Sequence, residues 1–171
     1  MDRRWRDLLK TIERYWVSSV AWATKLPSLP LMLVALLLTY VATAPALVFA
    51  LAKSDLSIGG PEFAKHGLGP MILIGCLIAP ILETAVNQWA CIRLLNRFGC
   101  GTATVIVVSA LLFGLGHTYS LAYILVTFNI GLVLAATFVI EDRRGGSPFL
   151  VTMAVHAMRN GMTTLYYAFF A

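Results

Sequence analysis

Between Glu62 and Glu141 the chain carries one acidic residue, Glu83, in sequence that is otherwise almost wholly apolar. Apolar runs of membrane length recur five times, at about 30–52, 69–95, 102–117, 121–140 and 147–171. A bilayer core offers no water to exposed backbone groups, so a spanning segment must close its hydrogen bonds internally, as a helix does. The expected fold is therefore all-α: an integral membrane bundle of about five transmembrane helices. A carboxylate enclosed in such a bundle is costly to hold and marks a functional site by default.

Only 12% of the 171 residues are charged and 59% are hydrophobic, where a soluble domain has about 25% charged residues. The length allows one bundle and no second domain. A net charge of +5 would point to nucleic acid in a soluble protein. Here the basic residues flank apolar spans, so they set topology and no nucleic-acid partner is expected.

Residues 1–29 form a basic segment, with Arg3, Arg4, Arg6, Lys10, Arg14 and Lys25 interleaved with Trp5, Tyr15, Trp16 and Trp22. Leu8, Leu9, Ile12, Tyr15 and Trp16 recur at helical spacing. This predicts an amphipathic helix on an anionic lipid surface, an ordinary basic cytoplasmic tail being the plainer reading. The charged segment is too long, and the apolar run after it too extended, for a cleaved signal peptide. The bundle proper is expected over 30–171. Residues 53–68 read as a polar loop with His66 in solvent, and Glu141 to Gly146 as the clearest loop in the chain. Pro80, three residues before Glu83, frees a carbonyl and predicts irregular backbone there. Cys76, Cys91 and Cys100 follow no metal-like spacing and are expected as free, packed thiols.

With the N-terminus inside, the inner segments hold ten Lys and Arg residues and the outer segments only Lys53 and Lys65. The expected orientation is N-in and C-out, in a bacterial cytoplasmic membrane. At a rise of about 1.5 Å per residue, Glu83 and His156 each lie roughly 15 Å from the cytoplasmic end, Asn160 about 21 Å and His117 about 24 Å. Those depths place all four in one mid-membrane cluster, given an ordinary tilt of the third helix.

Three segments carry the chemistry: Glu83-Thr84-Ala85-Val86-Asn87-Gln88, Phe113 to His117, and His156 to Asn160. Their order and spacing resemble the CPBP intramembrane proteases, the CAAX-processing and bacteriocin-processing group also called Abi. The family pattern runs E-E-x-x-x-R, F-x-x-x-H, H-x-x-x-N on successive membrane helices, and the likeness covers about residues 70–165. The second and third motifs are complete. In the first, Glu83 matches, but Thr84 and Gln88 stand where the family has its second glutamate and its arginine. A coupled neutral exchange of that pair leaves no unpaired charge in the bundle.

Glu83 and His117 can together hold and deprotonate a water. His156 and Asn160, one turn apart, can donate to the oxyanion of a tetrahedral intermediate. The resemblance implies the same division of labour, and with it an endopeptidase cutting a peptide or membrane-protein substrate in or near the bilayer, with no cofactor. One carboxylate and two imidazoles also form a valid catalytic zinc set. Glu83, His117 and His156 would be its ligands, although the helix-borne H-E-x-x-H signature is absent. The runner-up is a catalytically silent, CPBP-like subunit that binds and stabilises a larger membrane complex. A proton-coupled transporter would explain the buried Glu and His but not the H-x-x-x-N pair. Arg159, beside Asn160, is open to pairing with Glu83, facing another subunit or snorkelling to the surface.

Overall fold

The computed structural model describes residues 21–52 and 60–170. The amphipathic helix expected near the N-terminus falls largely on residues 1–20, outside the described residues. Five helices follow: α1 (Ser28–Ala52), α2 (Leu68–Arg97), α3 (Thr102–Leu115), α4 (Leu121–Arg143) and α5 (Pro148–Phe170). A short 3₁₀ turn, Glu62–His66, precedes α2 and carries an exposed Lys65–Glu62 pair at 2.8 Å. There is no strand among the described residues. The three cysteines are free.

Among the described residues three helices are long and apolar enough to cross a bilayer: α1, α2 and α4. The expected all-α membrane bundle is borne out, with α3 shorter and α5 less apolar than these three. At 14 residues, α3 reaches only about 21 Å, short of a hydrocarbon core of about 30 Å. It stops at Leu115, so His117 lies in the turn beyond the helix. α5 has 23 residues but spends its apolarity on Thr152, His156, Arg159, Asn160, Thr163 and Thr164.

α4 is the central helix. Half of its most apolar window is buried inside the bundle, against 22% for α1 and for α2, whose remaining faces carry large exposed apolar side chains suited to lipid. Phe113, Val126, Ile130, Leu134 and Val155 pack with Ala35 in one core cluster. Ile92, Val105, Ile106, Ala135, Phe138 and Val139 form a second. Small residues let α3 and α4 approach closely, as membrane helices require when packing alone must hold them. A Cβ built on Gly131 would lie 3.0 Å from the Ala110 Cα, and one on Gly114 would lie 3.0 Å from the Phe128 Cβ.

α2 is continuous but unevenly wound. Met71–Ile78 and Thr84–Ala90 form wide turns with five-residue hydrogen-bond spacing, and an ordinary α turn, Ala79–Glu83, lies between them. Wide turns of this kind gather at functional positions. Here they bracket Glu83, and Pro80 sits at the junction as the sequence predicts. The other difference from the sequence reading concerns Glu141 to Arg143. These residues belong to α4 and not to a loop, and the Glu141 side chain is buried.

Candidate active site

Asn160 and His117 are each held by a backbone carbonyl that the helix itself leaves unsatisfied. The wide turn preceding Pro80 bonds the Ala79 N–H to the Ile74 carbonyl. The next bond in that pattern would run from residue 80 to Gly75, but proline has no N–H to give. The Asn160 amide fills the gap, donating to the Gly75 carbonyl at 2.8 Å. Asn160 thus ties α5 to α2 across the site and keeps one amide N–H in hand.

At the other end of the site, α3 terminates and its last carbonyls need partners. His117 Nδ1 lies 2.7 Å from the Phe113 carbonyl oxygen. A carbonyl only accepts, so Nδ1 carries the proton, and in the neutral ring Nε2 presents its lone pair. The ring is fixed further by Phe113, 4.8 Å away between centroids, and by Tyr123, stacked at 5.9 Å. Tyr119 meets Tyr123 edge-on at 5.0 Å. Phe113 also braces His156, edge to face at 5.3 Å.

Three groups then meet. Glu83 Oε2 lies 3.5 Å from His117 Nε2 and 3.8 Å from His156 Nε2. The Glu83 and His117 side chains are 28% and 16% exposed, while that of His156 is only 4% exposed. The site therefore opens on the Glu83–His117 side and closes behind His156. Residues 83, 117 and 156 converge although 73 positions separate the first from the last. Asn160 stands one turn from His156 with its amide engaged at Gly75.

Arg159 does not pair with Glu83. Its guanidinium lies over the Tyr40 ring, 4.2 Å from the centroid, and its Nη1 donates to Thr163 Oγ1 at 2.6 Å. Behind the site, Thr84 and Gln88 are fully buried, and their polar side-chain atoms have no hydrogen-bond partner, as is true of Thr152 Oγ1 and His156 Nδ1. No group of three His, Cys, Asp or Glu residues among the described residues has the arrangement of a metal site.

Sequence reasoning passed over two neighbours of this cluster. Tyr123 stacks on His117 from across the α3–α4 turn, and Tyr40 reaches Arg159 from α1. The first left a signal, an aromatic pair at 119 and 123 just past the histidine. The second left none.

Residues 65–162 match the family model described as type II CAAX prenyl endopeptidase Rce1-like. That range contains all three motif segments and leaves out α1. No curated protein and no solved structure matches the chain.

Proposed function

The chain belongs to the Rce1-like family of type II CAAX prenyl endopeptidases, and on that premise we propose that it is an intramembrane endopeptidase hydrolysing one peptide bond near the C-terminus of a prenylated substrate. The observation that carries the reading is the Glu83 carboxylate between two imidazole nitrogens at 3.5 and 3.8 Å. A water between Glu83 and His117 donates one hydrogen to the carboxylate and the other to the Nε2 lone pair. That leaves its oxygen lone pair free to attack the scissile carbonyl carbon. Glu83 takes the proton as the carbon–oxygen bond forms and passes it to the leaving amine as the carbon–nitrogen bond breaks. His156, with its proton on Nε2, and the spare N–H of Asn160 donate to the oxyanion between those steps.

The catalytically silent alternative draws on one observation: Thr84 and Gln88 replace the charged pair of the family motif and stand buried without partners. Incubation of the purified protein, in lipid vesicles, with a prenylated peptide ending in a CAAX motif separates the two. The expected result is release of the C-terminal fragment, detected by mass, equally with and without a chelator. Cleavage lost under chelation would install the zinc reading, with Glu83, His117 and His156 as ligands. An intact peptide, with the protein recovered bound to a membrane complex, would establish the silent subunit.

The ten-to-two bias of basic residues supports an N-in, C-out orientation. Reporters fused after residues 97 and 144 are expected to read cytoplasmic, and one after residue 171 external. A cytoplasmic reading at 171 would remove the fifth crossing.

A further inference from the structure

We propose that Arg159 is a specificity-determining residue that binds the free C-terminal carboxylate of the peptide substrate. The inference rests on the endopeptidase reading above and adds the group by which the substrate's end is recognised. Arg159 is the midpoint of α5 (Pro148–Phe170), about 16 Å from either end of the helix. An unpaired cation at such a depth is costly and is retained where it has something to bind.

The described carboxylates are committed elsewhere. Glu62 holds Lys65, Glu83 faces the two histidines, Glu141 holds Arg144 and Asp142 holds Arg93. The neighbours of Arg159 are neutral: the Tyr40 ring beneath its plane and the Thr163 hydroxyl at Nη1. Among the described residues its Nε is buried without a hydrogen-bond partner, and Nη1 alone of the guanidinium nitrogens donates a hydrogen bond. The Nε and Nη2 edge is the fork that receives a carboxylate with two parallel hydrogen bonds.

Placement points to the same ligand. Arg159 is three residues from His156, so the two side chains share a helix face. A CAAX motif ends its chain, so its carboxylate lies within three residues, or about 10 Å, of any bond cut inside the motif. One turn of helix plus the arginine side chain covers that distance. A lipid phosphate is the other common anion in a membrane, but it sits at the headgroup level, well away from the middle of α5.

The test is a binding measurement that needs no turnover. Two fluorescent prenylated peptides, identical except that one ends in a free acid and the other in an amide, are titrated onto the Glu83→Gln protein in neutral-lipid vesicles. The acid is expected to bind about ten- to a hundredfold more tightly, the range for hydrogen bonds to charged groups. Arg159→Gln should erase that preference, and Arg159→Lys, a point charge without the fork, should restore part of it. Equal binding of acid and amide by the Arg159-intact protein overturns the proposal, however the variants fold. So does a preference that survives Arg159→Gln, binding of neither peptide, or a preference abolished by adding anionic lipid. A preference that holds while the wild-type protein cleaves neither peptide would overturn the endopeptidase reading and leave this one standing.

Discussion

Glu83→Gln should lower the rate of peptide cleavage by about a hundred- to ten-thousandfold, the range for loss of a positioned general base, while leaving the fold intact. The substitution preserves volume and hydrogen-bonding capacity but removes the carboxylate that accepts the proton from water. Glu83 Oε2 has no hydrogen-bond partner of its own beyond the facing imidazoles at 3.5 and 3.8 Å, so little structure depends on its charge. His117→Ala should be comparably damaging, because it removes the second holder of the water and leaves the Phe113 carbonyl at the end of α3 unsatisfied. Asn160→Ala should differ in kind. It loses an oxyanion donor, but it also strips the Gly75 carbonyl of its only substitute for the proline's missing N–H, so thermal stability should fall together with rate. Initial rates at equal amounts of folded protein, with a melting curve for each variant, distinguish these outcomes. Wild-type turnover by Glu83→Gln would end the general-base role.

The features that were legible in the sequence are those for which the bilayer leaves no choice. Membrane-length apolar runs must be helices, and α2, α4 and α5 begin and end within a few residues of the hydropathy boundaries. Glu83, His117 and His156 stood out because polar groups are expensive in such runs; helical rise sets Glu83 and His156 at one depth and leaves His117 about 9 Å away. Pro80 announced a disturbed backbone. The form of the disturbance was hidden, because a turn with five-residue spacing buries nearly the same apolar side chains as an ordinary one. The partner of Arg159 was hidden for a different reason. Tyr40 lies on α1, and which faces of α1 and α5 meet is decided by packing among many similar apolar side chains. The short reach of α3 was obscured because no proline or charged residue marks the point where the helix stops.

The largest effect on stability is expected at a residue the hydropathy pattern assigned to a loop. Glu141 is 1% exposed at the end of α4. One of its oxygens accepts from Ser28 Oγ at 3.1 Å and from the Ser147 backbone N–H at 3.2 Å, and the other pairs with Arg144. Arg144 in turn donates to the Leu26 carbonyl and to Ser28 Oγ. Next to it, Asp142 takes Arg93 of α2 at 2.6 Å, and Arg143 reaches Thr102 of α3. One short charged segment therefore fastens the starts of α1, α3 and α5 and the end of α2 to the central helix. Gly146 belongs to this device, since a Cβ there would collide with the Glu141 carboxylate. Glu141→Ala leaves the Ser28 hydroxyl and the Ser147 N–H without their acceptor and the Arg144 guanidinium without its counter-charge. Breaking a buried pair from one side costs about 3 kcal/mol at the low end, and the low end applies because this cluster lies at the edge of the bundle. The expected result is a melting temperature in detergent lowered by several degrees, about 2–4 °C for each kcal/mol in a chain of this size. Glu141→Gln should recover part of the loss, because its amide oxygen still accepts from Ser28 and Ser147. Cleavage per folded molecule should be unchanged in both variants, since the cluster touches none of Glu83, His117 and His156. An unaltered melting temperature in Glu141→Ala would mean that the five helices are held by apolar packing alone.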